Sequence, residues 1–186
     1  MYPHHLHTGR RFPKEVIACP RQDRQVVEII ILKEEITHDI EADITRLEKQ
    51  RNLEKPILSG NESDAYTVRR QTDRALNQCV SRMQAYLLLP SPFVRHISTN
   101  HAGDWEEKNI FLAFPHNWPP HCIEPLRDAV HTYIVKSVEY NILLIAMTND
   151  PYTAMCQQEA DKAYNDINAL INSRLGPMNI HPTFLG

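Results

Sequence analysis

Apolar residues along this chain recur at two different spacings, and the change from one to the other outlines its organisation. From Asp23 to about Lys55, Val26, Ile29, Ile30, Ile36, Ile40, Ile44 and Leu47 lie three and four apart, which places them on one side of a helix. The opposite side is charged, with Glu34, Glu35, Asp39, Glu41, Asp43 and Glu48 among Lys33, Arg46, Lys49 and Arg51, as expected of a solvated face carrying i,i+4 pairs. Ile57 to Asn61 interrupts the period, and Asn61 or Ser63 is placed to cap a second helix running to about Leu88. Its stripe is Ala65, Val68, Thr72, Ala75, Leu76, Cys79, Val80, Met83 and Leu87, a mixture of small and large residues suited to close helix packing. The two helices predict an antiparallel hairpin about 45 Å long at 1.5 Å per residue.

Pro90 and Pro92 end this pattern. Between residues 90 and 124 the apolar residues scatter among turn formers, and a short strand is predicted at Asn109 to Phe114 within a long loop or β-hairpin. Loops of this length are uncommon in a compact domain unless they serve a function such as reaching a partner. Helical spacing returns near Pro125 and continues through Leu126, Val130, Ile134, Val138 and Ile142 to about Met147. Thr148 to Pro151 forms a turn with Asn149 or Asp150 as cap, and a fourth helix follows to the stop at Gly176 and Pro177.

The expected fold is therefore mainly α, a four-helix bundle-like pair of helical hairpins with a long loop or short β-hairpin between helices two and three. A helical domain at 23–177 is preceded by a Pro-containing arm at 1–22 and followed by an extended tail at 178–186. The arm carries Arg10, Arg11, Lys14 and Arg21 against Glu15. The tail carries Ile180, Pro182, Phe184 and Leu185.

Composition narrows the function. A net charge of −3 gives no global basic field of the kind general nucleic-acid binding uses. Arg69, Arg70, Arg74 and Arg82 on the second helix read as a solvated face. The longest apolar runs fall well short of the roughly 20 residues needed to span a bilayer, and the first 20 residues lack a secretory apolar segment. Cys19, Cys79, Cys122 and Cys156 form no CxxC pair, which fits a reducing compartment, and Cys79 and Cys156 fall on apolar stripes that predict burial. The expected location is the cytoplasm of a bacterial host, or a virion.

No Gly-rich phosphate loop, GxSxG or HExxH motif is present, so the expectation is a non-enzymatic protein with no cofactor. His96, His101, His116, His121 and Cys122 crowd one region and are the candidate metal ligands, but their spacing matches no standard zinc pattern. A metal-dependent hydrolase using these histidines is a minor alternative. Aromatic and apolar residues of the loop and tail, Trp105, Phe111, Phe114, Trp118, Ile180, Phe184 and Leu185, are the candidate protein interface.

The second half carries a family likeness. A helix from Cys79 to Pro90 is followed by an insertion, a helix from Pro125 to Met147, an Asp-Pro turn and a last helix with Tyr164, Ile167, Leu170, Ile171 and Gly176. Over residues 75–177 this order resembles the head-tail connector, or neck, proteins of tailed bacteriophages and prophages. The resemblance implies a subunit of a ring between portal and tail, contacting itself and other virion proteins, with DNA contact only indirect. The long first helix, basic arm and Trp-bearing loop depart from that pattern. The alternative from the residues alone is a bacterial helical adaptor or regulatory protein that dimerises through the first hairpin.

Overall fold

The computed structural model describes residues 24–87 and 107–175. The protein is mainly helical, with four α-helices and one small antiparallel sheet among the described residues. The basic arm, the tail and the first part of the long insertion, residues 90–106, lie outside the described residues.

The described residues begin with a strand, β1 (Arg24–Leu32), where the spacing predicts a helix. Val27, Ile29 and Ile31 are buried and their neighbours exposed, a period of two. Val26 and Ile30, assigned by spacing to the buried helical stripe, point outward. The run Val26 to Leu32 is apolar and rich in β-branched residues, so it satisfies a helical period and a strand equally well. A pairing partner decides the matter. It is β2 (Glu107–Pro115), in a register that sets Val27 opposite Leu112 and Ile29 opposite Ile110. The expected strand in the insertion is therefore real, and among the described residues its partner strand is β1 at the start of the domain.

The first helix is shortened accordingly. It is α1 (Lys33–Arg51), 19 residues and about 28 Å long, burying Ile36, Ile40, Ile44 and Leu47. Asn52 ends it in the left-handed conformation (φ 49°). Gly60 (φ 69°) supplies the other left-handed position in the connection, one residue before the next cap. Asn61 Oδ1 accepts a 2.8 Å bond from the Asp64 amide and starts α2 (Glu62–Arg82), as its sequence position predicts. A 3-10 turn at Gln84–Tyr86 follows, so α2 stops short of Leu88.

The core is organised on α3 (Ile123–Ala146), which packs against α1, α2, β1 and α4 (Pro151–Ile171). The last two helices form the hairpin expected of them. Glu139 meets Cys156, Lys136 meets Glu159 and Tyr133 meets Tyr164, so residue numbers rise on one helix as they fall on the other. Asp150 caps α4 through the Tyr152 amide at 2.8 Å, with Pro151 next to it. The first pair does not form the expected long hairpin. Both α1 and α2 pack chiefly on α3, and α1 runs in the same sense as α3, Asp39 bonding His131 and Asp43 bonding Lys136. A strand in place of nine helical residues removes the length that hairpin needed.

Candidate functional site

The aromatic residues singled out as interface anchors divide into two groups. Phe114 and Trp118 are fully buried, their rings stacked at 4.1 Å with 8° between planes, and Tyr86 leans on Phe114 at 5.2 Å. Trp118 Nε1 donates a 2.8 Å bond to the Leu170 carbonyl, and its own carbonyl accepts from Gln25 Nε2 at 2.5 Å. Trp118 therefore ties β1, the segment before α3 and the end of α4 together. Assigning it and Phe114 to an interface is corrected on this ground: both side chains complete the core. Phe111 is half-buried on the other side of β2. Trp105, Ile180, Phe184 and Leu185 lie outside the described residues, as do His96 and His101. His116 and His121 are exposed and Cys122 is buried. Among the described residues no group of three or more His, Cys, Asp or Glu side chains is placed to hold a metal ion.

Exposed apolar side chains gather instead at two other places. One is the outward side of β1, where Val26, Ile30 and Leu32 are 42%, 43% and 36% exposed. The other is the corner between α3 and α4, with Ile145 83% exposed and Leu144 and Met155 also open. Both ends of α1 mark these places. Leu32 directly precedes it, and Arg51 at its end pairs with Asp150 of the corner at 3.1 Å. The two patches are separated by roughly the 28 Å length of the helix.

A buried charge cluster, not anticipated from the sequence, crosses the α1–α3–α4 junction. Glu139 is completely buried in the middle of α3. Lys136, one turn earlier, donates to Glu139 Oε2 at 3.0 Å and to Asp43 Oδ2 at 2.7 Å, and lies 3.8 Å from Glu159. Cys156 Sγ donates to Glu139 Oε2 at 3.3 Å, and Arg46 pairs with Asp43 from the solvent side. A buried charge is tolerable only when paired and hydrogen-bonded. Here one ammonium serves two carboxylates, standing where a cation would stand in an acidic site.

The electrostatics follow from burial against pairing. Burial pushes the Glu139 carboxyl up to about 7, although Lys136 and the Cys156 thiol pull it down. Burial also acts to raise Asp43, but Lys136, with Glu139 and Arg46, offsets it and holds that carboxyl below its usual value. Burial disfavours the Lys136 ammonium, yet its two carboxylates keep it charged well beyond the ordinary lysine range. Desolvation, with Glu139 alongside, pushes the Cys156 thiol up to about 12. The only hint in the sequence was Lys136 and Glu139 at i,i+3 on an otherwise apolar helix. With no surface of Glu139 open to solvent, the arrangement locks three helices in register.

Comparison with protein-family models, with curated protein sequences and with solved structures finds no match. Among the described residues no helix is long and apolar enough to cross a membrane.

Proposed function

We propose that this chain is a non-enzymatic structural or assembly subunit of a phage or prophage particle, its helices bundled on α3, joining head and tail through contacts with its own copies and with portal or tail components. The outward side of β1 carries this reading. A strand of an antiparallel sheet facing water alternates apolar with polar, whereas near-continuous apolar runs belong to strands covered on both sides. Val26, Val27, Ile29, Ile30, Ile31 and Leu32, interrupted only by Glu28, make such a run, yet Val26, Ile30 and Leu32 stay exposed. Apolar surface of this kind marks a contact with another macromolecule. The second patch, around Ile145, differs in composition and sits at the far end of α1. Two unlike patches suit the head-to-tail contacts of a closed ring, where the surface given differs from the surface received. The likeness of residues 75–177 to neck proteins supplies the phage setting.

Light scattering after size-exclusion chromatography, over a range of concentrations, tests the self-assembly. The wild-type chain is expected to associate, and the double variant Val26→Glu, Ile30→Glu to remain monomeric with an unchanged melting temperature. A wild-type monomer at every concentration, or a variant that still associates, overturns the role given to β1. Portal, capsid or tail genes beside the coding sequence are the expected genomic setting.

A further inference from the structure

The hairpin of α3 and α4 leaves a groove of about 650 Å³ on its outer side. Its floor is apolar, with Ala129, Ala163 and Leu170, and Asp128, Glu159 and Asp166 stand along it against the single basic lining residue Lys162. We propose that the basic segment around Arg10, Arg11 and Lys14 of the same chain docks in this groove.

Three observations select that occupant. The first is where the described chain starts. Gln25 is one hydrogen bond from Trp118, whose indole bonds to the Leu170 carbonyl, and Leu170 closes one end of the groove. Arg24, where the described residues start, therefore lies on the Leu170 side of the groove. The second is reach. From Leu170 to Glu159 the groove follows 170 − 159 = 11 residues of α4, about 16 Å, and a segment of 24 − 10 = 14 residues extends to about 45 Å. The third is charge. Residues 1–22 carry Arg10, Arg11, Lys14 and Arg21 against Glu15, opposite in sign to the groove's carboxylates. The tail from residue 178 leaves from the same end of the fold, since Leu175 N bonds to the Asn117 carbonyl, but it carries Ile180, Phe184 and Leu185 without a basic residue other than His181. Charge complementarity favours the arm.

The inference does not depend on ring assembly and is tested on the full chain. A nitroxide is attached at Thr8→Cys in a Cys19→Ser background, the three other cysteines being buried. Amide signals of Ala129, Thr132, Ala163 and Ala169 are expected to lose intensity through relaxation by the label. They should recover at about 1 M salt, where the Debye length is about 3 Å, and in the double variant Asp128→Lys, Asp166→Lys, whose exposed positions leave the fold intact. No loss at these amides, or a loss indifferent to salt and to charge reversal, overturns the proposal. So does loss seen only when labelled chains are mixed with isotope-enriched unlabelled ones, which assigns the groove to another copy's arm. Groove signals that shift on removal of 178–186 and ignore the label assign it to the tail, with the same consequence.

Discussion

Trp118 and Leu170, 52 residues apart, are joined by a 2.8 Å bond from the indole nitrogen to a backbone carbonyl in the last turn of α4. That carbonyl also accepts the Ser173 amide at 3.1 Å as the helix ends, so the indole takes its second acceptor position. The stack on Phe114 fixes the ring that makes the bond. Trp118→Ala should therefore cost about 3–5 kcal/mol through lost burial and the cavity left behind. Trp118→Phe keeps the stack and loses the bond, at about 1 kcal/mol. Urea denaturation of both variants checks the ratio, and near-neutral behaviour of the alanine variant would be incompatible with a core position.

The Lys136 cluster predicts a pH dependence. Glu139 titrates at about 7 when folded and near 4.3 when unfolded, so the folded state holds this proton more tightly. Its contribution is fully present below the unfolded value and is lost as pH rises through about 7. Asp43 behaves oppositely: its lowered value stabilises above the ordinary Asp range and the benefit disappears in acid. Glu139→Gln should flatten the decline in melting temperature between about pH 5 and 7, as followed by circular dichroism.

Removing the shared ammonium is more severe than removing its partner. Lys136→Met leaves Glu139 buried without its cation, an expected loss of about 3–5 kcal/mol near pH 8. The loss should shrink near pH 5, where Glu139 takes up a proton. Denaturant titrations at the two pH values provide the comparison, and an equal loss at both would remove Glu139 as its cause.

Cysteine reactivity follows from the same burial. Cys79 and Cys156 are buried and their thiols are pushed up to about 12, so little nucleophilic thiolate exists at neutral pH. Alkylation mapped by mass spectrometry should leave Cys79, Cys122 and Cys156 unmodified in native protein and label all three in denaturant. Rapid native labelling at Cys156 would contradict its place against Glu139.

Helix entry offers a smaller effect. Asn61→Ala removes the acceptor for the Asp64 amide and should cost about 1 kcal/mol. Asp150→Ala removes both the α4 cap and the Arg51 pair, and is expected to lose more, by thermal melting.

By itself the sequence determined α2, most of α3, α4 and the turn between the last two, because their periods were unbroken and Asn61, Asp150 and Pro151 are local signals that act within a few residues. It also placed Cys79 and Cys156 in the core. Only the tertiary structure decided what Val26 to Leu32 would be, since the choice between strand and helix rested on Ile110 and Leu112, more than 80 positions away from Ile29 and Val27. The same distance hid the fate of Trp118, which reads as an anchor on a loop until β2 carries it under α4. Burial of Glu139 was hidden for a related reason: a carboxylate inside a fold is decided by the ammonium and thiol that meet it, and Asp43 and Cys156 come from helices whose packing no local pattern records.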